Sequence, residues 1–381
     1  MHEQRAIFTS EHHMFRENFQ EFIRQEILPY QEEWERTGIV SRNLWLKAGE
    51  QGFLVPNADE KFGGQGIDDF CLEVIMNEEL AYVNESGFAL ALHNSLVAPY
   101  LLSYCTDSQK EKIIPKITSG ENILAIAMSE PAAGSDLAGM KTNAVRKGDQ
   151  WILNGQKTFI TNGILSNLIL VAAKTDPHDP RKMGLFLVEG DMKGFTRGKP
   201  FKKMGLHSQD TAELFFENVT LSSENLLGHP HKGFLYMMDK LALERLTVAI
   251  TSIALAEAAL KETITYVRER KAFGKTISKF QNTKFKLAEL KTEIDLGRTY
   301  IDHLIKAHIK GTLKPEDACK AKYWSTDLAC KVTDECVQLH GGYGYMMEYP
   351  ICKMYLNSRV GKIYAGSNEI MKTVIAKSLD L

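Results

Sequence analysis

The chain is short of cysteine, of excess charge and of long apolar runs, and each shortage removes a class of function. Six cysteines stand at 71, 105, 319, 330, 336 and 352 of 381 residues. None forms a Cys-x-x-Cys pair, and the spacings match neither a disulfide framework nor a zinc site. They read as reduced, mostly buried thiols, so no metal is expected. Lys and Arg number 46 against 48 Asp and Glu, a net charge of −2. A field that weak favours neither nucleic acid nor an anionic membrane. The longest apolar stretch, 88–102, is interrupted by His93, Asn94, Ser95 and Pro99 and reads as a buried helix, not a membrane span. The first residues carry acidic side chains and no apolar h-region, so neither a signal nor a transit peptide is expected. A cytoplasmic location is the corresponding expectation. There is no internal repeat.

What is present is ordinary for a soluble globular protein: 44% hydrophobic and 25% charged residues, in a chain long enough for two or three domains. The first third reads helical. Phe15, Phe19, Phe22, Ile23 and Ile27 recur at helical spacing until Pro29, and Ser41 and Asp68 or Asp69 are N-cap candidates. Near Glu121 the texture turns to short strand-like runs separated by turn signals, including 176–180. From about Gly233 long amphipathic helices return, over 241–267, 278–310, 315–339 and 368–378. The expected fold class is α+β. An all-α domain covers 1–120, a β-barrel or sandwich domain 121–232, and a four-helix bundle 233–381.

The densest signal lies at 125–163. AIAMSEPAAGSDLAG, at 125–139, is a loop of small and polar residues. Its backbone N–H groups and the hydroxyls of Ser129 and Ser135 can approach a planar or phosphorylated ligand closely. WILNGQKTFITNG, at 151–163, reads as a hairpin turning at Asn154 and Gly155. Three further motifs stand far apart: RERKAFGK at 268–275 with Gln281 following, QLHGGYG at 338–344, and IYAGSNEIM at 363–371.

In this order the four motifs resemble the acyl-CoA dehydrogenase family from about residue 10 to the end. The resemblance implies FAD as cofactor, an acyl-CoA substrate, electron transfer to an electron-transferring flavoprotein, and a homotetramer built as a dimer of dimers. It implies that Ser129 and the backbone of Ile126, Ala127 and Met128 meet the flavin pyrimidine edge. Phe159 would flank the isoalloxazine ring, Thr161 would place its hydroxyl near N5, and Ile160 would lie between them. Ser135 would contact both the cofactor and the CoA arm. Arg270, Phe273 and Gln281 would reach the FAD of a neighbouring subunit, with Arg270 on the pyrophosphate. Gln338, Leu339, Gly341 and Gly342 would sit at the adenosine end, and Ser367, Asn368 and Glu369 would complete the site. Arg270 also has a plain reading as a cation at a helix C-terminus, and His340 reads as structural.

Dehydrogenation needs a carboxylate base in a dry site. Many family members carry this Glu immediately after the Tyr of the fourth motif, where this chain has Ala365. Long-chain and isovaleryl-CoA dehydrogenases are similar in carrying it before an Arg, the pattern of LALERLT at 241–247. Glu244 is therefore the expected base. Ala242, Leu243, Arg245, Ala365 and Gly366 are expected at the substrate, the Ala365 N–H binding the thioester carbonyl. Ala89, Leu92 and Leu96 are candidates for the acyl-tail wall and equally read as core. A medium- to long-chain straight acyl-CoA is the expected substrate. The alternatives are a branched isovaleryl-type enzyme, an oxidase on the same fold, a DNA-associated relative, and a flavoprotein without chemistry.

Overall fold

A computed structural model of the chain describes residues 5–179 and 181–381. Residues 1–4, and Pro180 at the end of the 176–180 turn signal, lie outside it. The N-terminal helices are α1 (Ser10–Glu26), α2 (Gln31–Thr37), α3 (Arg42–Glu50), α4 (Phe70–Tyr82), α5 (Ala98–Tyr104) and α6 (Asp107–Thr118). The aromatic stripe of α1 closes on Trp45 and Phe53, with Phe19 fully buried. Helix α1 gives way to a 3-10 turn through Pro29, whose missing N–H cannot continue an α-helical ladder. The Ser41 hydroxyl accepts from the Asn43 N–H, and Asp69 rather than Asp68 caps α4.

The buried helix expected over 88–102 forms, but Leu92–Val97 is a π-helical segment that runs into α5. Its polar residues are all bonded inward. Asn94 accepts from the Val55 N–H and donates to the Phe53 carbonyl and to Glu73, while Ser95 donates to Glu73. These bonds, rather than an apolar stripe, hold the wide turn.

The middle segment is one eight-stranded sheet. Its strands are β1 (Leu124–Ala127), β2 (Asn143–Lys147), β3 (Gln150–Thr161), β4 (Leu168–Lys174), β5 (Met183–Glu189), β6 (Phe195–Arg197), β7 (Thr211–Leu221) and β8 (Leu226–Leu227). The order is β6-β7-β3-β2-β4-β5-β8, with β1 parallel to β4. The hairpin expected at Asn154 and Gly155 does not form, and β3 runs straight through both. The turn lies earlier, at Gly148 (φ +61°) and Asp149, where Lys147 pairs with Gln150. Gly155 is instead a bulge in the β3–β7 ladder, at φ +148°. A Cβ there would lie 2.7 Å from the Thr142 Cα, so the close approach needs glycine.

Beyond the sheet come α7 (Gly233–Glu269), α8 (Gln281–Ile309), α9 (Pro315–His340), α10 (Pro350–Ser358) and α11 (Asn368–Lys377). A two-stranded ribbon, β9 (Lys271–Ala272) and β10 (Lys275–Thr276), separates α7 from α8. Ile250, Ile253, Leu290, Ile294, Leu328 and Val332 are buried between α7, α8 and α9. The short α10 has no counterpart among the four helices expected from the sequence. Among the described residues no helix is long and apolar enough to cross a membrane.

The two helical regions are joined by charge. Glu78 of α4 is fully buried and accepts from Arg5, Arg16 and Arg298, the last on α8. Burial alone would raise the Glu78 carboxyl, but Arg298, Arg5 and Arg16 override it and hold it down at about 2.

Candidate active site

A cavity of about 330 Å³ lies where the sheet, the π-helical segment and α7 meet. The sheet contributes Ile126 of β1, Met128 and Ser129 just after it, and Phe159, Ile160 and Thr161 at the end of β3. Ala89, Leu92 and Leu96 form part of the opposite wall. Helix α7 contributes Glu244, Thr247, Val248, Thr251, Ser252 and Leu255, and Tyr364 and Ala365 close one side.

The sheet wall is fixed by a buried ion pair. The Lys157 ammonium donates to the Met128 carbonyl and to Glu130, each at 2.9 Å. Glu130 also accepts the N–H groups of Lys141 and Thr142, and the Ser129 carbonyl accepts from the Thr158 N–H at 2.9 Å. Burial pulls the ammonium down to about 8 against the attraction of Glu130. A second register shift, between Lys157 and Ile160, breaks the alternation of β3. It leaves Phe159 at φ +59° and 69% exposed, its ring presented on the wall beside Phe201. An aromatic residue of β3 held in a left-handed conformation is strained and needs a surrounding that fixes it. The Thr161 hydroxyl lies 3.5 Å from Gln209 Oε1.

Glu244 of α7 lines this space and is half-buried. Desolvation raises its carboxyl to about 7, against the pull of Arg245 and of Lys322 on α9. Tyr100 and Tyr364 are pushed upward by burial and by the Glu244 charge. The chain beyond Tyr364 turns through two left-handed residues, Ala365 at φ +54° and Gly366 at φ +86°. The Gly366 carbonyl accepts from the Lys322 ammonium at 2.8 Å.

The other expected residues divide into three groups. Ala127 is buried on the far side of the sheet, and Ser135 is exposed on the loop after Ser129. Ala242 and Leu243 are half-buried just before Glu244, while Arg245 turns toward α9 and donates to the Cys319 thiol at 3.3 Å. Asn368 is buried and committed to Lys322, Thr326 and Asp327. Ser367 caps α11, and Glu369 sits exposed in its first turn. Arg270, Gln338, Leu339, Gly341 and Gly342 line a separate open depression of about 570 Å³. Phe273 is 95% exposed on the adjoining ribbon, and Gln281 is exposed at the start of α8. His340 is structural, with Nδ1 on the Cys336 carbonyl and its ring stacked on Tyr266.

The last of these, the Arg270 group, is not a neighbour of the cavity within one chain. Arg270 follows Glu244 by 26 residues along α7, which is about 39 Å at the α-helical rise. Lys157 and Lys322 escape a sequence reading, because a lone lysine in a strand or an amphipathic helix normally faces water. Their signal is positional only: both fall on faces that the neighbouring residues bury.

Sequence models of the acyl-CoA dehydrogenase N-terminal, middle and C-terminal domains match residues 9–121, 125–219 and 231–379. The chain is 50% identical over 378 residues to the mitochondrial long-chain specific acyl-CoA dehydrogenase of Rattus norvegicus, covering 98% of this chain and 88% of that protein. It superposes on the crystal structure of an acyl-CoA dehydrogenase from Geobacillus kaustophilus with a TM-score of 0.97 at 51% identity, covering 99% and 100% of the two chains. A glutaryl-CoA dehydrogenase from Mycobacterium smegmatis, solved in complex with FADH2, gives a TM-score of 0.91 at 28% identity over 98% and 95% of the two chains.

Proposed function

The chain belongs to the acyl-CoA dehydrogenase family, and from that premise we propose that it converts medium- to long-chain straight acyl-CoA to trans-2-enoyl-CoA, with Glu244 as the base. It is an oxidoreductase, and its cofactor is FAD. The observation that carries the reading is a carboxyl raised to about 7 by burial and standing at one end of an apolar slot. A group so placed takes up a proton near neutral pH, because desolvation outweighs the cations Arg245 and Lys322 that favour its charged form.

The residues present fit a flavin. Phe159 offers an aromatic face that the strand holds outward at the expense of backbone strain. The clamped segment at 126–129 offers a polar edge, and Thr161 a hydroxyl. Bound FAD supplies the acceptor for the β-hydride. Glu244 takes the α-proton. The Ala365 N–H polarises the thioester carbonyl, and that backbone donor is unaffected by the loss of a carboxylate side chain at this position. Leu92, Leu96, Val248 and Leu255 exclude water from the tail.

Chain length follows from α7. Residues 244, 247, 248, 251, 252 and 255 form one face, and Leu255 is 11 residues beyond Glu244. At the helical rise this is about 16 Å, room for roughly a dozen methylenes in extended form. A slot of that length suits a straight tail better than a short branched one. The separation of about 39 Å between Glu244 and Arg270 by helical rise supports a cofactor site shared between subunits, and the assembly proposed from the family is a homotetramer. An electron-transferring flavoprotein is the proposed electron acceptor.

The test is the visible spectrum of the purified holoprotein under anaerobic conditions. Octanoyl- and palmitoyl-CoA are expected to bleach the flavin band faster than isovaleryl-CoA, and Glu244→Gln to abolish the bleaching. A flavin that no straight acyl-CoA bleaches overturns the reading, and faster bleaching by isovaleryl-CoA moves the assignment to the branched-chain enzyme.

A further inference from the structure

A lysine with no surface at all lies beneath the Tyr364–Gly366 side of the cavity. Lys322, on α9, is 0% exposed, an uncommon position for an ammonium, which is costly to strip of water unless it is bonded. Its bonds go to two acceptors, the Gly366 carbonyl at 2.8 Å and Asn368 Oδ1 at 3.0 Å. Neither is a carboxylate. The charge is therefore held by main chain and amide oxygens, not cancelled by an ion pair. Burial and the nearby Arg245 bring the ammonium down to about 8.

The turn it grips is strained. Ala365 sits at φ +54° and is followed by Gly366 at φ +86°, two successive left-handed residues of which the first carries a Cβ. Such a conformation persists only where its surroundings over-determine it. Helix α9 supplies that constraint. Lys322 holds the Gly366 carbonyl, and the Asn368 amide beyond it donates to the Tyr323 carbonyl, to Thr326 and to Asp327. Ala365 lines the cavity opposite the helix that carries Glu244.

We propose that Lys322 is a positioning residue for catalysis, its ammonium fixing the Ala365–Gly366 turn so that the Ala365 N–H meets the thioester carbonyl while its charge faces the base. This rests on the assignment of Glu244 and Ala365 given above. Glu244 is faced by Arg245 on its own helix, Lys322 from α9, Tyr100 from α5 and Tyr364 from the turn. Only the two cations favour its ionised form. Removing Lys322 leaves Arg245 alone against desolvation, so the base becomes harder to ionise.

The test uses flavin-loaded holoenzyme of Lys322→Met and Lys322→Arg, normalised to flavin content. A donor moved by an ångström loses rate rather than binding, so kcat should fall about 100-fold with KM changed far less. The acid limb of the kcat–pH profile should move to higher pH in Lys322→Met. Lys322→Arg keeps the cation but replaces a compact ammonium by a bulkier planar guanidinium that cannot hold the Gly366 carbonyl in the same geometry, so it should lose kcat while holding the limb near its wild-type position. A second readout needs no turnover. Octanoyl-CoA labelled with 13C at the thioester carbonyl is bound to Glu244→Gln and to Glu244→Gln/Lys322→Arg. The infrared carbonyl band should shift back toward that of free thioester in the double variant.

Wild-type kcat and an unmoved limb in Lys322→Met would overturn the proposal. So would an unshifted band with kcat lost only in proportion to flavin or folded protein, which marks a structural lysine. If Lys322→Met does not fold, the Lys322→Arg rate and the infrared band still decide. Failure of the wild-type enzyme to bleach with any acyl-CoA sinks the underlying assignment as well, and is told apart because it appears without any change at Lys322.

Discussion

Dryness, not a charge partner, sets Glu244 at about 7, and this gives its activity a pH signature. A base must be ionised to accept a proton. With saturating octanoyl-CoA, kcat should therefore rise about tenfold per pH unit below 7 and flatten above it, one pKa unit being about 1.4 kcal/mol. Glu244→Asp withdraws the carboxylate by one methylene and should lose about 100-fold in kcat while keeping an acid limb. A limb that persists unchanged in the residual activity of Glu244→Gln would assign the titration to another group. Glu244 was legible in the sequence because a glutamate among Leu241, Leu243 and Leu246 has an arginine beside it and an alanine at 365, where a carboxylate is otherwise expected. Lys157 and Lys322 were not, because what makes them special lies 27 and 44 residues away, at Glu130 and at the Gly366 carbonyl. No local pattern encodes a partner at that distance.

Helix α7 is the element that carries the proposed base and lines the slot proposed for the tail. Its cavity-facing residues fall at helical intervals from Glu244 to Leu255, so a side chain enlarged partway should shorten the slot without touching the chemistry. Thr251 stands seven residues beyond Glu244, about 10 Å along the axis. Thr251→Phe should lower kcat/KM for palmitoyl-CoA at least tenfold more than for hexanoyl-CoA, as measured by competing the two substrates. Equal losses would mean that the tail leaves α7 before this point. The long helices were readable because amphipathic periodicity over seven or more turns has no rival interpretation. The sheet was harder. Asn154 and Gly155 are a common hairpin pair, yet β3 needs both as a bulge so that it can bond β2 and β7 at once, and the turn falls to Gly148 and Asp149. The π-helical turn at Leu92–Val97 was illegible for a different reason: an apolar run with helical spacing reads as α, and the wide turn is held by Asn94 and Ser95 reaching Glu73 and the backbone near Phe53.

At the scale of the molecule, the expected cofactor residues fall at two places along a 37-residue helix, its middle and its C-terminal end. The cavity holds Ser129, Phe159 and Thr161 beside residues 244–255 of α7, while Arg270 and Gln338 line a depression at the end of that helix, about 22 Å beyond Leu255 and about 39 Å beyond Glu244 by helical rise, with Phe273 projecting beside it. Either the distal residues serve another purpose, or each site joins one chain's cavity to its neighbour's distal surface. The two arrangements separate in mixed oligomers. Glu244→Gln leaves Arg270 intact and removes the base. Arg270→Glu leaves the base and sets a carboxylate where a phosphate is expected, so it should purify with little flavin. Alone, each should be nearly inactive. Co-expressed in equal amounts, they form hybrids in which the Glu244 of one chain is completed by the Arg270 of the other. If pairs assemble at random about a two-fold axis, about a quarter of wild-type activity should return. A single-chain site would return none, since no chain in the mixture carries both residues. The grouping of Arg270, Phe273 and Gln281 with a neighbouring subunit's cofactor comes from the resemblance and not from spacing along the chain, and the separation along α7 supports it.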